Sequence, residues 1–346
     1  MRQLQNAIYS LLIVVLAAGC SGPASSRGTG GLTTIKVGIM TIPDCASIVV
    51  AQQRGYFTAE GLAVETETVQ GGGVAMPKLE SGALDFSIMN YVAAIQKEAA
   101  EPGMVKLVSD AYQAAPGAFM LMVPKTSPIK SVGDLKGKHI SVLTLNSVGT
   151  LTLESKLRVE GLKKDDVIIS ERPVTEMVNA LESKRIDAAW MTEPFINAYA
   201  KQGGLKIADM MEGQTDKLPI AGWATSGKYA QSHPDTVRGF QRAMLRAQAD
   251  VATNSQLVTD ALPIYTKIDK KTAATITLGT FPVGLAPSRI ERVIDLMVEY
   301  GYIKEGAVTT GKLLIPEPLL PADPAASTLP PPPSASHTPQ ELEPAS

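Results

Sequence analysis

Along the N-terminal third of the chain, the spacing of apolar residues changes several times. Ile35 to Met40 (IKVGIM) is β-rich and bounded by Thr and Pro, which predicts a strand. Ala46 to Tyr56 reads as a helix ending near Gly55. Leu62 to Val69 alternates apolar and polar positions, as a strand does. Val74 to Leu79 reads as a helix closed by Ser81-Gly82, and Asp85 to Met89 as another strand. This alternation predicts α/β architecture, with mostly parallel sheets covered by helices. The order then recurs. Glu60-Gly61-Leu62 is matched by Glu160-Gly161-Leu162, and Leu79-Glu80-Ser81 by Leu181-Glu182-Ser183, at offsets of 100 and 102 residues. LESGALDFSIMN aligns with LESKRIDAAWMT, so Asp85 pairs with Asp187 and Met89 with Met191. Two matches in one order at nearly constant spacing predict two lobes with equivalent wiring. Ligands of open parallel sheets bind outside the carboxyl ends of the strands. The equivalent strands end at Asn90 and at Thr192-Glu193, so two facing lobes would bring those ends together across a cleft.

Composition sharpens the picture mainly at the two ends. The chain has 346 residues, 45% apolar and 19% charged, with a formal net charge of −2. That balance is globular, and it lacks the basic surface that nucleic acid needs. Two cysteines exclude a four-cysteine zinc site and make a disulfide framework a poor fit. Three histidines (His139, His233, His337) leave little for a metal site or catalytic triad, so no metal or cofactor is expected. Arg2 precedes an apolar run from Ala7 to Ala18, which is short for a membrane span and fits a signal-peptide core. The run ends in Leu16-Ala17-Ala18-Gly19-Cys20, which resembles a bacterial lipobox. Residues 1–19 are therefore expected to be cleaved and Cys20 lipidated; an ordinary secretory signal is the alternative. Residues 20–33 form a Gly/Ser-rich tether. Residues 317–346 are rich in Pro, Ala and Ser and contain no Lys or Arg, which predicts a disordered or extended spacer, with a proline-binding partner as the alternative.

Between the tails, PDCASIVVAQQRGYFTAEGLAVE, GGG, LESGALDF, SPIKSVGDLKGKHISV, EGLKKDDV and RIDAAWMTEP occur in order. Together they resemble bacterial solute-binding proteins of the nitrate/sulfonate/taurine and thiamine-pyrimidine group, which serve ABC importers. The resemblance spans residues 33–315. It implies two Rossmann-like lobes of the periplasmic binding protein type II fold, with a ligand between them. It places lobe 1 at 35–121 plus 223–315 and lobe 2 at 125–220, with crossings near Met122-Val123-Pro124 and Pro219 to Trp223. The partners it implies are a small-molecule solute, an ABC permease and its ATPase, and the membrane reached through the lipid anchor. A monomer outside the cytoplasm is expected.

The candidate ligand residues lie on the loops at the strand ends. Asp44 caps the next helix or points at a donor on the ligand. Cys45 beside it needs no function as a small buried residue. Gly71-Gly72-Gly73 opens a helix, where Gly72 and Gly73 let a ligand approach the backbone amides; a tight turn is the alternative. Asn90 ends the equivalent strand of lobe 1. Ser147 and Thr150 lie in the matching loop of lobe 2, which the resembled family uses for its ligand; a simple Ser cap is the alternative. Thr192 and Glu193 sit at the strand end, where Glu193 accepts hydrogen bonds from an amine or favours the dipole of its helix. Trp190 is expected in the core. Trp223, near the second crossing, is the candidate for stacking on a flat ligand.

These loops contain Asp44 and Glu193 but no Lys or Arg. An amine-bearing solute therefore fits better than a bare anion, and a thiamine-precursor aminopyrimidine is favoured. Taurine, an alkanesulfonate or nitrate is the alternative. An enzyme on the same fold is the reading from another class. Cys45 as the lone cysteine of the folded region argues against the cysteine-rich pyrimidine synthase, with a lyase or dehydratase as the other enzyme reading. A membrane sensor or adhesion role using the tail is a third.

Overall fold

The computed structural model describes residues 31–318. The expectations for the signal peptide, Cys20, most of the tether and the tail from residue 319 lie outside the described residues. No helix within them is long and apolar enough to cross a membrane.

The chain begins in lobe 1 with strands β1 (Thr33–Ile39), β2 (Leu62–Thr68), β3 (Phe86–Asn90) and β4 (Val105–Gln113). It crosses to lobe 2 for β5 (Phe119–Val123), β6 (His139–Val142), β7 (Ile168–Glu171), β8 (Ala188–Thr192) and β9 (Leu205–Asp209), then returns for β10 (Pro219–Ser226). The sheets have orders β2-β1-β3-β10-β4 and β7-β6-β8-β5-β9. The two orders correspond position by position. In each, the fourth strand is the first one after a crossing, β10 in lobe 1 and β5 in lobe 2. Each enters antiparallel to both neighbours, beside parallel pairs made by β1 and β6. The expectation of mostly parallel sheets is thus corrected to mixed sheets.

The crossings also move. They occupy residues 114–118 and 210–218, and the expected positions, 122–124 and 219–223, fall inside or at the edge of β5 and β10. Both strands are buried along their whole length, so neither shows the alternation that betrays a lobe's inner face. At the other end, Glu317 belongs to the lobe and not to the tail. Its Oε2 accepts from the Leu285 N–H (2.7 Å), the Ile315 N–H donates to the Leu107 carbonyl (2.9 Å), and Gln241 Nε2 donates to the Ile315 carbonyl (3.1 Å).

The internal repeat has a physical cause. Asp85 Oδ2 accepts from the Lys36 N–H (2.8 Å), and Asp187 Oδ2 accepts from the His139 N–H (2.8 Å). Each aspartate returns its own N–H to the same residue's carbonyl, at 2.8 and 2.7 Å. The pair pins β3 to β1 in lobe 1 and β8 to β6 in lobe 2. Gly61 and Gly161 both take left-handed φ (75° and 72°), as do Gly82 (75°) and its counterpart Lys184 (57°). Asp187→Ala is expected to cost about 1–2 kcal/mol, measured by urea unfolding, because it leaves the His139 amide of β6 without its acceptor. Asp85→Ala should match it.

Candidate functional site: a cavity between the lobes

The carboxyl ends of β1 and β3 in lobe 1 face those of β6 and β8 in lobe 2. Between them lies a cavity of about 50 Å³. Its walls are mostly apolar: Met40, Ile42 and Met89 from lobe 1, and Phe119, Leu143 and Trp190 from lobe 2. The lobes approach closely at its rim. A Cβ on Gly71 would lie 2.8 Å from Thr144 Oγ1 of the opposite lobe. Gly71 also has φ 151° and ψ 178°, a conformation essentially restricted to glycine. Gly71→Ala is therefore expected to hold the lobes apart and to weaken solute binding by roughly tenfold or more. Thr144→Ala should restore part of the loss. Titration calorimetry of the single and double variants checks both.

Three helices start at this cavity: Gly72–Ser81, Tyr91–Ala100 and Val148–Val159. The first amides of a helix have no partner within it, and they attract negative charge. Asn90 caps its own helix, its Oδ1 accepting from the Ala93 N–H (2.9 Å), and keeps its side-chain NH₂ as a donor at the cavity wall. The other two helices have no side-chain cap. Gly71 has no side chain to offer. Ser147, for which a cap was the alternative reading, instead donates its hydroxyl to the Thr144 carbonyl (2.5 Å). Uncapped N-termini from both lobes thus face one cavity, and this arrangement suits an anion.

Asp44 also lines the cavity and is only 2% exposed. Its expected role as a cap is corrected. The helix Ala46–Gln53 starts after Cys45 with no side-chain cap, and Asp44 Oδ1 has no hydrogen-bond partner. Burial pushes this carboxyl up to about 7, opposed by a hydrogen bond from its own backbone. Cys45 is buried structural material. Its Sγ accepts from the Met40 N–H (3.3 Å), and burial pushes the thiol up.

Gly72, Asn90, Ser147 and Thr192 join Asp44 in the wall, whereas four other candidates do not. Gly73 lies on the first turn of its helix outside the wall. Thr150 is buried inside its helix turn, with a hydroxyl that has no partner. Glu193 has both oxygens occupied. Oε2 accepts from the Asn197 N–H (3.1 Å), and Oε1 accepts from the Thr277 N–H (3.2 Å) on the C-terminal part of the chain. It ties lobe 2 to that segment and takes no part in the cavity wall. Burial raises its carboxyl above the usual range, and the two amides oppose the shift. Trp223 is fully buried in lobe 1, edge-on to Phe240 with ring centroids 6.0 Å apart, so no ligand can stack on it.

Trp190 is the reverse case. It is buried, donates from Nε1 to Thr152 Oγ1 (3.0 Å), packs against Phe119 and still forms part of the wall. Strand alternation put Trp190 and Thr192 on one face, and that face is the cavity side. Phe119 and Ile220 escaped sequence reasoning, because buried strand residues next to a crossing carry no local signal. Among the described residues, no group of three or more His, Cys, Asp and Glu side chains could hold a metal ion.

Two mixed-sheet α/β lobes closing on a shared cavity define the architecture of the periplasmic binding proteins. The chain belongs to the NMT1/THI5-like family, whose model matches residues 42–256. It is 27% identical over 286 residues to the "Putative aliphatic sulfonates-binding protein" of Bacillus subtilis, covering 80% of this chain and 82% of that one. Among solved structures it resembles the alkanesulfonate-binding protein SsuA from Xanthomonas axonopodis pv. citri bound to MOPS. There the TM-score is 0.67 at 17% identity, covering 83% of this chain and 100% of the other. It also resembles the desulfurization enzyme DSZB, with a TM-score of 0.61 at 15% identity, covering 82% of this chain and 97% of that one. Likeness at such identity establishes the fold alone.

Proposed function

We propose that the protein is the solute receptor of an ABC importer. It captures a small organic anion in the inter-lobe cavity and presents it, lobes closed, to a permease driven by an ATPase. One observation carries this reading: uncapped helix N-termini from both lobes converge on a largely apolar cavity. An anionic head group fits the helix ends, and an aliphatic body fits Met40, Ile42, Leu143 and Phe119. The relative named for aliphatic sulfonates supports the same class. The aminopyrimidine favoured from sequence rested on two carboxylates, Asp44 and Glu193, in loops without Lys or Arg. Glu193 lies outside the cavity wall and only Asp44 stays in it, so that preference passes to a sulfonate-like anion. The desulfurization enzyme shows that this fold also supports catalysis, but among the described residues no hydroxyl of the wall is hydrogen-bonded to Asp44 as a nucleophile is to its base. In this reading Cys20 carries the lipid, residues 20–33 are the tether, and the receptor works as a monomer outside the cytoplasm.

A thermal-shift screen of alkanesulfonates, aminopyrimidines and nitrate tests the proposal. A bound solute should stabilise the protein as RT ln(1 + [L]/Kd), about 2.7 kcal/mol at a hundredfold excess over Kd. The sulfonates are expected to give that response. A response confined to the aminopyrimidines would return the ligand class to the alternative, and turnover of any compound would point to an enzyme.

A further inference from the structure

Among the described residues, Asp44 is the one ionisable side chain in the cavity wall. Its Oδ1 is buried without a partner, and no cation among the described residues offsets it. The ionisable groups around it are Cys45 on its own turn, Tyr112 of β4 and Tyr265 of the helix Ser255–Tyr265, with Glu193 acting on Tyr112 from lobe 2. None of the three is hydrogen-bonded to Asp44 Oδ1. Cys45 Sγ accepts from Met40, the Tyr112 hydroxyl accepts from the Gly279 N–H, and the Tyr265 hydroxyl donates to the Ile42 carbonyl (2.8 Å). Burial pushes each of them up, so none carries charge near neutral pH. No protein group meets the bare oxygen, which leaves it to the solute, to a water that the solute displaces, or to a proton.

We propose that Asp44 is the specificity-determining residue of the cavity and requires exactly one proton between itself and the solute. This rests on the receptor reading above and deepens it. A solute with an N–H donor at that end supplies the proton itself and binds ionised Asp44. A solute with only a methyl or an acceptor there binds protonated Asp44 and takes up a proton from water. The two kinds of solute then respond to pH with opposite sign. Affinity for the donor-bearing solute rises with pH up to the titration of Asp44, and affinity for the other falls above it. Each limb approaches roughly tenfold per pH unit, the value for one linked proton.

The test is titration calorimetry between about pH 5.5 and 8.5, a range that spans the shifted carboxyl. The probes are the matched pair 2-aminoethanesulfonate and propane-1-sulfonate, together with the solute recovered from the purified protein. Wild type should give slopes of opposite sign for the pair, and Asp44→Asn should flatten both. The wild-type profiles stand alone if the variant fails to fold. Slopes of the same sign, flat wild-type profiles, or slopes that survive in Asp44→Asn would overturn the inference while leaving the receptor intact. Absence of any bound solute at every pH would bring down the receptor reading, and the inference with it.

Discussion

Trp223→Ala is expected to lower the unfolding free energy by about 3–5 kcal/mol, the cost of emptying a large aromatic site in a core. The residue sits on β10 between β3 and β4, paired with Ile88 and Ser109. Its ring meets Phe240, which stacks on Phe86 with centroids 4.0 Å apart. The alanine variant therefore opens a hole where two layers of lobe 1 join. Its indole Nε1 is buried without a partner, so Trp223→Phe removes an unsatisfied donor and should cost far less. Urea unfolding ranks the two. Solute affinity measured on the folded fraction should barely change. An alanine variant of normal stability that has lost binding would put Trp223 against the ligand after all.

The second large effect runs the other way. Asp44→Asn is expected to stabilise the solute-free protein at pH 8 by about 2–4 kcal/mol. The folded carboxyl is held up at about 7, against an ordinary value of 3.8. The folded state therefore holds this proton more tightly than the unfolded chain does. Stability from this group is fully present below about pH 4, declines as pH rises through the window, and is lost above about pH 7. Asparagine carries no charge to desolvate, so its advantage should vanish near pH 4. Unfolding curves at the two pH values check the sign. A stabilising change at a cavity residue is the usual mark of a group kept for binding at the expense of stability.

Much of the architecture is legible in the sequence because it repeats. The LES…D segments place a left-handed turn, a strand start and a pinning aspartate at equivalent points of both lobes. The Gly82–Lys184 pair shows that such a turn tolerates a side chain when the surrounding bonds are in place. Mixed strand direction was not legible, since β5 and β10 are buried throughout and look alike whichever sheet they join. At the cavity, polar loop residues were easier to find than to assign. Asp44, Asn90 and Ser147 were located by strand ends, but which groups their oxygens meet depends on contacts distant in sequence. Glu193 illustrates this best, since one of its partners, Thr277, lies 84 residues away. The apolar walls escaped notice because a methionine or phenylalanine facing a cavity is written in the same letters as one facing the core.

The central claim is that one solute is enclosed between the lobes, and native mass spectrometry of freshly purified full-length protein tests it most directly. The expected spectrum shows wild type carrying one small anionic solute per chain, with Gly71→Ala largely empty and Gly71→Ala/Thr144→Ala partly refilled. A wild-type protein that is empty and takes up none of the screened compounds would contradict the account, as would a solute retained equally by Gly71→Ala.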